Sequence, residues 1–391
     1  MKISARARGI AESQTLSVAR KARELQAAGV DVIDLSVGEP DFPSPRVAVE
    51  AAQEALARGF TRYTGNAGIP DLLSAVAEDY RRRHGSPWPA SQVVVTVGAK
   101  MALYQLAQAL LDEGDEVVLP APYWVSLPEQ IRLAGGRPVE VAMEPGEGFA
   151  IRAAPLLQAV TDRTRVVLLN SPCNPTGGTI DAEELSALVR GCAERGLLVI
   201  ADETYERFVY GGKAVVSAAA LAAEFPETVI VVGSFSKTYA MTGWRLGYVL
   251  GPKPVIDAVG KIQSHATSNP TSFAMVGAVA ALRHGEAEWL ERLAEFEARR
   301  DLLVPMLNRL PGVTCAAPAG AFYVFPQVTG CYGPGRQDSI AVADWFLEEA
   351  RVAVVPGLAF GAEGYVRLSF ACSRENLREG VSRLEALLAS M

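Results

Sequence analysis

Lys237 stands in the stretch Ser234-Phe-Ser-Lys237-Thr-Tyr-Ala-Met-Thr-Gly-Trp-Arg245-Leu-Gly-Tyr248, just after the β-branched run 228–232. Such a run reads as a buried strand. The lysine therefore sits past a strand's end, in a Ser/Thr/Gly-rich turn, with Arg245 eight residues on. A lysine amine in that setting can form a Schiff base with a carbonyl. The Ser234 hydroxyl and the Arg245 guanidinium fork are ligands for a phosphate. The Ser-Phe-Ser-Lys tetrad also fits Ser-x-x-Lys, the nucleophile motif of penicillin-binding serine hydrolases. The Ser-Asp-Asn and Lys-Thr-Gly motifs that accompany that chemistry do not occur in the chain, nor does a P-loop.

An aldehyde and a phosphate on one small molecule describe pyridoxal phosphate, and other residues bear on that reading. Asp202 opens Asp-Glu-Thr-Tyr205 at the end of an apolar run. A carboxylate there can keep a pyridine nitrogen protonated, so that the ring works as an electron sink; taken alone, it is also a good helix N-cap. Asn170-Ser-Pro-Cys-Asn174-Pro-Thr-Gly-Gly178 is a turn after a strand. The Asn174 amide can donate to a ring hydroxyl and to a substrate carboxylate. Asn174–Pro175 and Ala121–Pro122 are candidate cis peptides. Gly98-Ala99-Lys100 opens a helix, whose free N–H groups suit an anion. Lys100 opposes the helix dipole there, so it either reaches solvent or meets an anion. Trp124 is a stacking platform or ordinary packing. Arg367, in Tyr365-Val-Arg-Leu-Ser-Phe370, clamps a carboxylate if it points inward and is a surface arginine if it does not.

These groups need a scaffold. Short apolar runs at 93–97, 116–119, 138–141, 166–170, 198–201, 228–232 and 246–250 alternate with amphipathic stretches such as 101–111 and 182–195. That rhythm predicts an α/β fold with a mostly parallel seven-stranded sheet and helices on both faces. Ligands bind beyond the carboxyl ends of such strands, where the candidate residues lie. Past 286 the pattern changes to a long helix, short strands at 320–325, 352–355 and 365–370, and a closing helix from Arg374. The expected division is an N-terminal arm and part of a small domain at 1–45, a large domain at 46–285 and a small α+β domain at 286–391. Pro40-Asp-Phe-Pro43-Ser-Pro45 is the expected crossover.

A net charge of −7, with both signs interspersed, argues against nucleic-acid and anionic-membrane partners. Residues 1–14 hold no apolar signal-peptide core. The five scattered cysteines form no CxxC pair, which points to a reducing cytoplasm. The three histidines have no metal-ligand spacing, so chemistry resting on histidine or a metal is not expected.

Taken together, Ser36-Val-Gly-Glu-Pro-Asp-Phe42, Asn-Pro-Thr-Gly, Asp-Glu-x-Tyr, Ser-x-x-Lys, Gly-Trp-Arg-x-Gly and Arg367-Leu-Ser-Phe370 resemble the class I/II aminotransferases, pyridoxal phosphate enzymes of fold type I. The resemblance spans nearly the whole chain. It implies that Lys237 carries the cofactor covalently and then moves the proton. Asp202 would pair with the ring nitrogen, Tyr205 and Asn174 with the ring oxygen, and Trp124 would stack on the ring. Ser234, Arg245 and the Gly98-Ala99-Lys100 backbone would hold the phosphate. Arg367, Asn174 and the Gly38 backbone would receive the substrate α-carboxylate. Tyr63 would reach the phosphate of a second subunit, implying a homodimer with shared sites. Within the family the pattern looks like the prokaryotic aspartate aminotransferases of subgroup Ib. There, a lysine and a threonine at the positions of Lys100 and Thr15 accompany binding of a second carboxylate and activity on prephenate. The implied reaction is ping-pong transfer of an amino group from aspartate or glutamate to 2-oxoglutarate, oxaloacetate or prephenate, in amino acid biosynthesis. Gly233-Ser-Phe-Ser and Cys173 depart from that subgroup's usual Asn-Gly-x-Ser and Asn. An aminotransferase or carbon–sulfur lyase of the same fold acting on alanine, aromatic or other apolar substrates stays open as an alternative. So does a non-catalytic binding module.

Overall fold

The computed structural model describes residues 2–11 and 14–390. A helix, Gln14–Ala27, leads into a two-residue strand, β1 (Ile33–Asp34). The large sheet then takes up β2 (Val93–Thr96), β3 (Glu116–Ala121), β4 (Arg137–Ala142), β5 (Thr164–Asn170), β6 (Leu198–Asp202), β7 (Val229–Ser234) and β8 (Gly247–Leu250). Its order is β2-β8-β7-β6-β5-β3-β4. Strand β8 runs antiparallel to both neighbours, and the other contacts are parallel. All seven predicted runs are strands of this one sheet, shifted only at their ends.

Alternation explains why these runs were so apolar. Val95, Val167, Leu169, Val199, Val229 and Val231 pack into one apolar layer. Their neighbours Val94, Val166, Leu168, Ile200, Ile230 and Val232 pack into another. Successive side chains point to opposite faces, and helices cover both, so no polar alternation survives. Helices Ala99–Leu110 and Lys253–Ala266 supply one layer, and Pro70–His84, Ala182–Ala193 and Ser272–His284 the other.

The topology gathers the site. Strands β2, β3, β5, β6 and β7 end on one edge of the sheet. Because β8 is reversed, its start lies on that same edge, with Gly247 paired to both Thr96 and Ser234. Arg245 is thereby delivered beside the residues that follow the other strands.

The C-terminal third builds its own apolar cluster, in which Ile33 and Leu35 join Phe296, Tyr323, Val342, Leu368 and Leu377. Three strands, β9 (Tyr323–Val324), β11 (Val355–Pro356) and β12 (Val366–Ser369), form an antiparallel sheet in the order β11-β12-β9. Strand β10 (Val352–Ala353) pairs with β1 instead. The expected single strand at 352–355 is thus two pieces in two sheets. Every residue there is buried, so the sequence carries no alternation to reveal the switch. The cis peptides also differ in part from expectation. Ala121–Pro122 is cis, but the second is Ser171–Pro172, not Asn174–Pro175. Both prolines lie in one turn, and an X-Pro dipeptide alone does not reveal its isomer. No helix among the described residues is long and apolar enough to cross a membrane.

Candidate active site

A cavity of ≈ 620 Å³ opens at that sheet edge, and every expected site residue except Gly98 and Tyr63 lines it. At its floor the Lys237 amine donates to the Gly38 carbonyl at 2.5 Å. Among the described residues no carboxylate lies within ion-pair distance of it. Burial, the main cause, pulls its pKa down to about 8; Arg367, Arg245 and Lys100 push the same way, against Glu39. Asp202 ends β6, only 3% exposed. Its carboxylate accepts from the Thr204 N–H at 3.1 Å and from Asn170 Nδ2 at 3.2 Å. Both donors are neutral, and burial raises its pKa to about 6. An unpaired desolvated carboxylate and a desolvated amine thus share one cavity, the pattern of groups set for proton chemistry.

Asn170 ties the floor together. Its Oδ1 also accepts from the Asn174 N–H at 2.9 Å, so one amide orients both Asp202 and the following turn. The Tyr205 hydroxyl lies 2.8 Å from that of Tyr323. Tyr323 stands close behind Gly38, where a Cβ would come within 2.5 Å of its hydroxyl. A side chain at Gly38 would displace the segment that meets Lys237.

The other end is built for an anion. Gly98 has φ +80°, and a Cβ on it would lie 2.6 Å from Arg245 Nη2. The guanidinium therefore crosses the start of helix Ala99–Leu110, where the first N–H groups have no helical acceptor. Arg245 itself is held in the left-handed region, φ 56° and ψ 55°. Gly247 is required too, since a Cβ there would meet the Ala99 nitrogen at 2.4 Å. Ser234 accepts from the Ser236 N–H at 3.1 Å, and both serines are buried in the cavity wall.

Arg367, on β12, is inward-facing and 3% exposed. It donates to Asn174 Oδ1 at 2.9 Å and to the Ser36 carbonyl at 2.7 Å. Its Nε is buried with no partner among the described residues. Its guanidinium carbon sits 4.4 Å from the Tyr323 ring centroid and 5.0 Å from that of Phe360. A buried cation facing only neutral acceptors, with a donor left over, is incomplete without an anion. Lys100 Nζ stands 4.9 Å over the Trp124 ring. Desolvation and, next, the Arg245 charge lower its pKa. Thr15, from the N-terminal helix, lines the same wall.

Tyr63 is not brought to this cavity; it is 89% exposed. Cys173 is buried, its thiol pushed up to about 11 chiefly by desolvation. Sequence reasoning did not single out Asn170, Ser236, Tyr323 or Arg23 as site residues, although all line the cavity. Ser236 repeats the serine two residues earlier, and Asn170 stands four before Asn174, so both carried a weak signal. Tyr323 carried none, because its partner lies 118 residues away.

These residues fit pyridoxal phosphate. The Arg245-covered helix start suits the phosphate, the unpaired Asp202 suits a protonated ring nitrogen, and Lys237 lines the same cavity. The comparisons with known proteins agree. The family model described as Aminotransferase class I and II matches residues 30–384. The chain is 47% identical to the aspartate aminotransferase of Streptomyces avermitilis, over 99% of this chain and 97% of that protein. It is 43% identical to the probable aspartate/prephenate aminotransferase of Aquifex aeolicus, over 99% and 98%. The solved aspartate aminotransferase from Thermus thermophilus with maleate matches with a TM-score of 0.93 at 42% identity, over 99% of this chain and all of that one. With its motifs in order, its site assembled and residues 30–384 matched by the family model, the chain belongs to the class I and II aminotransferases.

Proposed function

We propose that this protein is a pyridoxal phosphate-dependent aminotransferase that moves an amino group between a dicarboxylic amino acid, aspartate or glutamate, and a 2-oxo acid. 2-Oxoglutarate, oxaloacetate and prephenate are the proposed acceptors. The carrying observation is one cavity that joins a desolvated, unpaired Lys237 to two further cationic sites, Arg367 and Lys100, suited to two carboxylates. The relatives' names and the maleate in the Thermus structure's title, itself a dicarboxylate, support the substrate class.

When bound, the cofactor supplies a carbonyl for the amino group and a protonated ring that stabilises the carbanion. In this reading Lys237 holds it and then takes and returns the Cα proton. With a pKa of about 8, about a tenth of the amine is neutral at pH 7. Asp202 keeps the ring nitrogen protonated, while Tyr205 and Asn174 meet the ring oxygen and Trp124 the ring face. The Gly98-Ala99-Lys100 backbone, Ser234 and Arg245, joined by Ser236, hold the phosphate. Arg367 grips the α-carboxylate with Asn174 and the Gly38 backbone, and Lys100 with Thr15 takes the second carboxylate. Tyr63 serves the site of a second copy, in a homodimer; its exposure on its own chain supports that role. Residues 46–285 carry the cofactor, and residues 1–45 and 286–391 form the arm and small domain beside it. The clustering of Ile33 and Leu35 with Phe296 and Leu368 supports that grouping. A cytoplasmic location is consistent with five free cysteines.

The test is the visible absorbance of cofactor-loaded protein. Aspartate should remove the aldehyde-form band, and 2-oxoglutarate should restore it. An unchanged band with aspartate, but loss with alanine or phenylalanine, would move the substrate class to apolar amino acids.

A further inference from the structure

Helix Gln14–Ala27 forms one wall of the cavity, and Thr15, Ala19 and Arg23 all line it. Their spacing of four puts them in one row on one helix face. The helix is docked from other sides: Ala22 packs with Val32, Leu347 and Ala353, and Lys21 pairs with Asp344 at 2.8 Å. Arg23 Nε donates to the Ala19 carbonyl at 3.1 Å. That bond turns the side chain back along the row toward Thr15, the direction helical side chains favour. Among the described residues the two terminal nitrogens have no hydrogen-bond partner and no carboxylate within 4.0 Å.

The cavity's own carboxylates are engaged elsewhere. Asp34 accepts from the Ser36 N–H and hydroxyl at 2.9 and 2.6 Å. Glu39 accepts from the Thr242 hydroxyl, and Asp202 from Asn170 and Thr204. Under the proposed function, Lys237, Arg245 and Arg367 already serve proton transfer, phosphate and α-carboxylate. Arg23 remains as a planar fork with two free nitrogens, suited to bidentate binding of a carboxylate.

Resting on that reading, we infer that Arg23 is a specificity-determining residue that receives the remote carboxylate of the substrate alongside Thr15 and Lys100. It places a fork where Lys100 offers only a point charge. Substrates with a second carboxylate gain from it, and substrates with an apolar side chain do not.

The test compares the wild type with Arg23→Leu and Arg23→Lys. Arg23→Leu keeps the apolar stem at an exposed helical site, so folding is not at stake. Two readouts are needed: half-reaction rates with aspartate, glutamate and alanine, and calorimetric binding of succinate and of propionate, which cannot react. For Arg23→Leu, kcat/KM for aspartate and glutamate and affinity for succinate should fall about tenfold, a charged hydrogen bond discounted for exposure. Alanine and propionate should change by less than about twofold, and Arg23→Lys should lie between. An equal loss with alanine, or no loss of succinate affinity, overturns the inference while leaving the proposed function standing. Failure of the wild type itself to convert aspartate or bind succinate would instead overturn the dicarboxylate reading.

Discussion

The segment at the end of β6 has two faces, and they treat charge in opposite ways. Asp202 and Tyr205 face the cavity. Glu203 and Glu206, from the same turn, are buried on the other side. There Arg83 bonds Glu206 at 2.7 Å and Asp79 at 2.8 Å, and His84 Nε2 lies 3.2 Å from Glu206. Glu203 accepts from the Ser217 hydroxyl and from the Ala218 N–H at 2.7 Å. Arg83 holds Glu206 down as an anion, while burial and the Glu206 charge push Glu203 up toward its neutral form. Every buried charge there has an opposite charge or stays protonated. In the cavity, Arg367, Lys237 and Asp202 are desolvated against neutral partners only. Buried pairing serves the fold, and buried incompleteness marks where ligands complete the set.

The sharpest way to break this contrast is Lys237→Ala. Turnover should fall by about 10⁴-fold, roughly 5 kcal/mol of barrier. The unfolding midpoint of the cofactor-free protein should hold or rise, because a desolvated cation is gone. A stability loss instead would place Lys237 among the structural charges. On the other face, Arg83→Met leaves Glu206 and Asp79 buried without their cation. It should cost about 3–5 kcal/mol in denaturant unfolding. The folded fraction should keep its kcat, since no atom of Arg83 lines the cavity. A large fall in kcat at intact stability would mean that the two faces are one machine.

Asp202→Asn sharpens the comparison through pH. Burial raises the Asp202 pKa to about 6. Between the ordinary aspartate value and about 6, the folded chain then binds more protons than the unfolded one. Stability therefore falls as pH rises through that window, and above it the full cost of the bare anion is present. Asparagine removes that cost. Cofactor-free Asp202→Asn should be more stable than wild type by roughly 3 kcal/mol at pH 7, with no gain at pH 3. Transamination should be lost. Urea unfolding from pH 3 to 8 reads it, and a gain that does not grow across the window counts against an uncompensated carboxylate.

The same contrast sets what could be read from sequence. The seven large-sheet strands were legible because burial on both faces makes each one a continuous apolar run. Lys237, Asp202, Asn174 and Arg245 were legible because each follows or precedes such a run at one sheet edge. Arg367 was found through its apolar neighbours. What stayed hidden depends on contacts far apart in the chain. Tyr323 acquires its role from Tyr205, and Asn174 meets Arg367 across 193 residues. The split of 352–355 between two sheets was hidden by uniform burial. Tyr63 is legible as a motif residue but has no place in a single chain's cavity.

The smallest expected effect tests the anion end of the cavity. Gly98 holds φ +80°, and a Cβ there would meet only the tip of the Arg245 side chain, at 2.6 Å. In Gly98→Ala the guanidinium can swing aside, so the fold carries only the cost of an alanine at φ 80° and ψ 160°, a region essentially restricted to glycine, roughly 1–3 kcal/mol. The cofactor would lose a correctly placed charged donor, and its affinity should fall about tenfold. Gly247→Ala differs in kind, because its Cβ would strike the Ala99 backbone nitrogen at 2.4 Å, and the helix start cannot swing away. Cofactor titration and denaturant midpoints on both variants separate the two cases. If Gly98→Ala kept full affinity, Arg245 would be a surface arginine, and the phosphate would rest on the helix start and Ser234 alone.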